Sequence, residues 1–334
     1  MKGKRDFLTL TDLSLAEARR VLELATTLKA EPRGARSRLL EGRSVAIILE
    51  KASTRTRVSF EVGCAELGAY PVVLSVQSSQ LGRGEPIRDT ARVLSRYCDA
   101  IVYRTSSTSR LVDMASAGAP VVNALSDDGH PVQVLCDVFT IEEQLRSGIA
   151  GKRIAFVGDC SCNMARSWLE AAPLFGFHLV LAGPRGYVPP EGEVAKAGSH
   201  VTLVHDAARA LADCDVVNTD VWTSMGQEAE TDERTEAFGG WTLDEKMLSA
   251  AKPGAFVLHC LPAHRGQEID EATLEGPRSR VWDQAENRLH VQKALLVFLL
   301  TEAVGAGVAS GGSGGSGAGG TGGGSGAGGA AKRA

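Results

Sequence analysis

Short β-branched runs alternate along this chain with longer stretches in which apolar residues recur every three or four positions. Ser44-Val-Ala-Ile-Ile-Leu49 is the first such run and predicts a buried strand. Residues 72–76, 100–103 and 121–122 continue the series, and 153–157, 179–181, 201–204, 216–217 and 256–258 form a second one. Helical patterns fill the gaps. Ser14-Leu-Ala-Glu17 is a capping box ahead of Val21, Leu22 and Leu24. Ser53-Thr54 caps a helix that stops near Gly68, and Pro86 opens one with Ile87, Ala91 and Leu94 on one face. Residues 132–146 predict a long helix joining the two series, and 289–304 a last helix that packs back on the first. The pattern predicts an α/β protein of two domains, each with a mainly parallel sheet flanked by helices, joined by long helices. The expected bounds are 1–140, completed by helix 289–304, and 150–285. Residues 305–334 are almost entirely Gly, Ser, Ala and Thr. Such a tail cannot bury enough surface to offset its ordering entropy and is expected to be disordered.

Composition narrows the function classes. The 334 residues carry 36 Lys and Arg against 40 Asp and Glu, a formal charge of −4. No general field favours nucleic acid or an anionic membrane, so any anion site must be local. The basic first six residues are not followed by an apolar signal region, and no apolar run reaches membrane-spanning length. A cytoplasmic, membrane-free location is the expectation. Seven irregularly spaced cysteines argue against a disulfide framework. Cys160 and Cys162 form a C-x-C with no second pair at a useful spacing, so no metal is expected, and most thiols read as packing residues.

Three segments carry candidate chemistry. Ser53-Thr-Arg-Thr-Arg57 sits where a strand ends and a helix begins. Free N–H groups and the helix dipole favour a phosphate there, and Arg55 can hold two of its oxygens. A helix cap followed by two solvated arginines fits the same string equally well. Asp220-Val-Trp-Thr-Ser-Met-Gly226 and His259-Cys-Leu-Pro-Ala-His-Arg-Gly266 each follow a strand, where open α/β sheets bind ligands. A loop with a buried Trp and a Pro-rich turn are the plainer alternatives.

Taken in order, these strings resemble the aspartate and ornithine carbamoyltransferase family. Ser78-Ser-Gln80, Asp89-Thr-Ala-Arg-Val-Leu94, Arg104, His130-Pro-Val-Gln133 and Glu286-Asn-Arg-Leu-His-Val-Gln-Lys293 add to the likeness, which covers residues 8–304. The Asp220 and His259 segments match the ornithine branch. The resemblance implies transfer of a carbamoyl group from carbamoyl phosphate to the δ-amine of L-ornithine, giving citrulline and phosphate, without a cofactor. It implies that Ser53, Thr54, Arg55 and Thr56 bind the phosphate and that Arg288 completes the carbamoyl phosphate site. Arg104 and His130 would meet the carbonyl oxygen. Gln133 and the Leu261 carbonyl would meet the carbamoyl nitrogen. Asp220 would pair with the α-ammonium of ornithine, with Asn163, Ser224 and Met225 at its carboxylate end. Cys260 and Asp220 would lie close to the reacting amine, and Cys260 would also line the carbamoyl phosphate site. Gln80 would reach the site of a neighbouring subunit in a homotrimer, or a multiple of one. The chain differs from the common pattern at Cys162, Arg166 and Gly129. Two rivals remain: a relative acting on putrescine or an N-acylated ornithine, and a binding protein that keeps only the fold.

Overall fold

The computed structural model describes residues 4–32, 37–223 and 228–302. The first series of apolar runs forms a four-stranded parallel sheet: β1 (Ser44–Leu49), β2 (Tyr70–Ser75), β3 (Ala100–Arg104) and β4 (Val121–Leu125), ordered β2-β1-β3-β4. The second forms a five-stranded parallel sheet: β5 (Arg153–Val157), β6 (His178–Ala182), β7 (Val201–Val204), β8 (Val216–Thr219) and β9 (Phe256–His259), ordered β7-β6-β5-β8-β9. Helices cover both faces of the central strands, which is why those strands are nearly continuous apolar runs. The expected class, two α/β domains with parallel sheets, is the class observed.

Strand order decides where ligands can bind. In the first sheet the order reverses between β1 and β3, and in the second between β5 and β8. At such a reversal the connections leave toward opposite faces, and a crevice opens past the strand ends. Leu49 lies opposite Arg104 in register, and Thr219 opposite both Val157 and His259. The segments after β1 and β3 therefore line one crevice and those after β5 and β8 the other, with the segment after β9 beside β8.

The helices that matter are α1 (Leu15–Ala30), α2 (Thr54–Glu66), α3 (Ile87–Tyr97), α4 (Thr108–Ala115), α5 (Pro131–Leu145) and α6 (Asn163–Phe175), followed late in the chain by helix Val281–Val297. The capping box at Ser14 and Glu17 forms as expected. The last helix departs from expectation, because it begins at Val281 rather than at 289. Gln284, Asn287, Arg288, Gln292 and Lys293 are all buried on it, so the helix lacks the apolar stripe that periodicity detects. It packs against α1, α2 and α5, and its backbone runs on as a π-helix at Phe298–Glu302. One apolar core joins the halves, uniting Ile47, Phe60 and Val102 with Leu135, Ile154, Trp168 and Leu295. Residues 305–334, expected to be disordered, lie outside the described residues.

Candidate active site

The phosphate-type string occupies the first turn of α2. Ser53 stands at the N-cap position, but its side chain makes no cap bond to the helix. Its hydroxyl instead accepts from Arg104 Nη1 at 3.3 Å. Thr56, buried one turn in, accepts from Arg288 Nη2 at 2.8 Å and lies 3.5 Å from Arg104 Nη1. Arg288 also donates to Gln133 Oε1. The end of β3, the start of α2, the start of α5 and the middle of helix Val281–Val297 thus converge.

Their electrostatics are one-sided. Burial pulls Arg104 down to about 10, and the neighbouring guanidiniums of Arg288 and Arg55 push the same way. Burial likewise lowers Arg288. Arg104 Nε, Arg288 Nε and His130 Nδ1 are buried with no hydrogen-bond partner. Buried donors are usually satisfied, so three unpartnered nitrogens in one place mark a site built for an outside group. His130, at the N-cap of α5, is pushed well below its usual range by burial and by Arg288 and Arg104, so its ring is neutral near pH 7. Its backbone N–H donates to Ser167 Oγ of α6 at 2.8 Å, a bond from one half of the molecule to the other. Arg55 is half-buried and makes no side-chain bond or ion pair among the described residues, and Thr54 is exposed.

Past β8 and β9 lies a second group. The Cys260 thiol donates to Asp220 Oδ1 at 3.1 Å, and the Val221 N–H donates to the same oxygen at 2.8 Å. Burial raises the Cys260 thiol well above its ordinary range, and the Asp220 charge adds to this. Burial also raises Asp220, against the opposing pull of His259. His259 is braced on both sides: Nδ1 accepts the Leu261 N–H at 2.9 Å and Nε2 donates to Glu268 at 3.0 Å. Asp220, His259 and Cys260 bring possible metal-ligating atoms within 4.8 Å of one another, but both imidazole nitrogens are already engaged. Leu261 has φ +59°, a left-handed conformation that a non-glycine residue adopts only when its surroundings enforce it.

The expected residues divide into four groups. Ser53, Thr56, Arg104, Gln133 and Arg288 are linked by hydrogen bonds, with the Arg55 and Asp220 charges felt at Arg104. Asn163, at the first turn of α6, donates to the Ser126 carbonyl at 2.9 Å, tying the two halves together. Gln80 stands apart, exposed on the 3-10 turn Gln80–Arg83. Ser224 and Met225 lie outside the described residues. Sequence reading missed Ser167, His259, Glu268, Asp137 and Gln284. None stands at a motif position except His259, whose bracing role needs Glu268 nine residues on.

An α/β fold with a guanidinium-rich anion cradle on one sheet, facing a thiol–carboxylate pair on another, defines a two-substrate group transferase. Residues 5–143 match the aspartate/ornithine carbamoyltransferase carbamoyl-P binding domain, and residues 150–299 match the Asp/Orn binding domain of the same family. The chain belongs to the aspartate/ornithine carbamoyltransferase family. It is 68% identical over 305 residues to an ornithine carbamoyltransferase from Sorangium cellulosum, covering 89% of this chain and 98% of that one. A Geobacter sulfurreducens ornithine carbamoyltransferase is 50% identical over 302 residues, covering 89% and 99%. The solved ornithine carbamoyltransferase from Pyrococcus furiosus superposes with a TM-score of 0.83 at 45% identity, covering 90% of this chain and 98% of that one.

Proposed function

We infer that the chain is an ornithine carbamoyltransferase of arginine metabolism, transferring the carbamoyl group of carbamoyl phosphate to the δ-amine of L-ornithine. The observation that carries this reading is the facing of two opposite fields: three mutually repelling guanidiniums around Thr56, and the pair of buried Asp220 and half-buried Cys260 past β8 and β9. The first suits a phosphate and a developing oxyanion. The second suits a cationic amino acid and would repel the extra carboxylate of aspartate.

The chemistry is a direct displacement. The neutral δ-amine attacks the carbonyl carbon, the new C–N bond forms, and the C–O bond to phosphate breaks with its electron pair. The amine sheds one proton, with the departing phosphate as the adjacent base. Negative charge grows on the carbonyl oxygen and then on the phosphate. Arg104 and neutral His130 would meet the first, and Arg55, Arg288, Ser53, Thr54 and Thr56 the second. Fixed donors in a dry site stabilise such charge more than they stabilise the ground state. Asp220 would hold the α-ammonium of ornithine with Asn163, Ser224 and Met225 at its carboxylate, Cys260 would sit by the amine, and the Leu261 carbonyl would receive a carbamoyl N–H. Gln80 would complete the anion site of a neighbouring copy in a homotrimer, in keeping with its exposure. Among the described residues no helix is long and apolar enough to cross a membrane, which agrees with a cytoplasmic enzyme.

The test is product formation by the purified chain with carbamoyl phosphate and, separately, ornithine, putrescine, N-acetylornithine and aspartate. Citrulline from ornithine alone is expected. Turnover of another amine at equal or higher kcat/KM would replace the reading.

A further inference from the structure

Beneath the site lies a carboxylate that no step above uses. Asp137 is on α5, one turn after Gln133, and has no exposed surface. Its Oδ1 accepts from Gln133 Nε2 at 2.8 Å and from Gln284 Nε2 at 2.6 Å. Its Oδ2 accepts from Asn218 Nδ2 at 3.4 Å. Three amides from both halves of the molecule surround it, and it makes no ion pair among the described residues. Burying such a charge without a cation opposes folding, so its presence calls for a chemical reason.

The reason lies in the kind of partner a carboxylate is. An amide carries a donor on one end and an acceptor on the other, whereas an ionised carboxylate only accepts. Against Asp137 the Gln133 amide can present only its nitrogen, so its oxygen faces the other way. There it meets Arg288, a donor-only group. A phosphate is a stronger acceptor than an amide and competes for that guanidinium. Asp137 has no such competitor, because Gln284 and Asn218 hold it from behind. Gln284 also accepts the His259 backbone N–H at 2.8 Å, so the same carboxylate steadies the start of the Cys260–Leu261 segment.

We propose that Asp137 is a specificity-determining positioning residue: it fixes the Gln133 amide with its oxygen toward the transferred group, so that the site selects carbamoyl phosphate over acyl phosphates lacking an N–H. This rests on the carbamoyl transfer inferred above. A site that aims a hydrogen-bonding group at a substrate discriminates strongly against the analogue that cannot use it. Acetyl phosphate is that analogue, with a methyl in place of the amino group.

The experiment measures dissociation constants for carbamoyl phosphate, acetyl phosphate and inorganic phosphate on the full-length chain at roughly pH 8.5, where the Asp137 carboxyl is ionised. The wild type should prefer carbamoyl over acetyl phosphate by about tenfold or more. Asp137→Ala, or the similarly branched Asp137→Leu should the alanine variant not fold, should bring that preference to within about threefold while leaving phosphate affinity within about twofold. Asp137→Asn should keep the preference. It retains an oxygen between Gln133 and Gln284, and its nitrogen can turn to Asn218, whose Oδ1 is buried and unpartnered. An unchanged preference in the alanine or leucine variant overturns the proposal. So does an equal weakening of all three ligands, or an asparagine variant as impaired as the alanine one. A wild-type chain that forms no citrulline fails the functional reading instead; one that forms citrulline while Asp137→Ala keeps its preference fails this inference alone.

Discussion

A single thiol separates the roles of the two half-sites. Cys260 bonds to Asp220, and among the described residues neither side chain makes a hydrogen bond or ion pair with the α2 helix start. Cys260→Ala should therefore raise the ornithine KM by about 10- to 100-fold, the range for a lost hydrogen bond to a charged group. Carbamoyl phosphate affinity should stay within about threefold. Equal damage to both, read by steady-state kinetics and equilibrium binding, would contradict the division. Asp137 supplies a second prediction at this scale. Burial pushes its carboxyl up to about 7, against donation from Gln133 and Gln284. Its ordinary value is about 3.9, so the folded chain holds a proton over that interval which the unfolded chain releases. The stability this contributes is complete below the unfolded value and is lost as the pH rises through about 7. Asp137→Asn removes the dependence. Between roughly pH 5.5 and pH 8.5 the wild-type Tm should fall by a few degrees more than that of the variant. Parallel curves in a calorimetric pH series would show that the carboxyl titrates normally.

Among elements, the loop after β5 is held by a close backbone approach. A Cβ on Gly183, just past β6, would stand 2.2 Å from the Gly158 carbonyl oxygen at the end of β5. Backbone on both sides leaves no flexible atom to yield. Gly183→Ala should destabilise the chain by about 1–3 kcal/mol and displace the Gly158–Asn163 turn. The ornithine KM should then rise more than that for carbamoyl phosphate; a variant with wild-type Tm and KM values would show that the turn accommodates the methyl. Elements also show what the sequence could reveal. The inner strands were legible because burial on both faces makes them unbroken apolar runs. The beginning of helix Val281–Val297 was not, because Gln284, Asn287 and Arg288 look solvated in sequence but face a buried polar network. Asp137 was hidden for the same reason. A lone acid on an apolar helix gives no sign of the three amides brought to it from elsewhere in the chain.

For the molecule as a whole, Gln80 stands away from the other candidate anion-site residues. Gln80 is exposed and makes no bond to Arg104, His130 or Arg288 among the described residues. If neighbouring copies share their sites, Arg55→Ala and Gln80→Ala assemblies should each be impaired. Dissociating and reassociating them together should restore activity above the average of the two, because some interfaces pair an intact Arg55 with an intact Gln80. Mixed assemblies shown to form without such recovery would place Gln80 within its own subunit. Motifs offered candidate residues along the chain, but the bonds between the two halves of the molecule, His130 to Ser167 and Asn163 to the Ser126 carbonyl, appear only in three dimensions.

The position of Arg288 late in the chain bears on how the molecule is made. Helix Val281–Val297 closes the space between α1, α2 and α5, and Val291, Ala294 and Leu295 belong to the same core as Ile47 and Phe60. A nascent chain on the ribosome has made every strand of the first sheet long before that helix emerges. Until then the faces of α1, α2 and α5 that this helix covers stay open, and apolar surface exposed in this way invites aggregation. The early half must therefore wait, exposed or chaperoned, for a segment encoded after the second sheet. A ribosome-stalled chain ending near residue 280 should be cut readily by protease in the region of α2 and α5, and the same region should become resistant once residue 300 has cleared the exit tunnel.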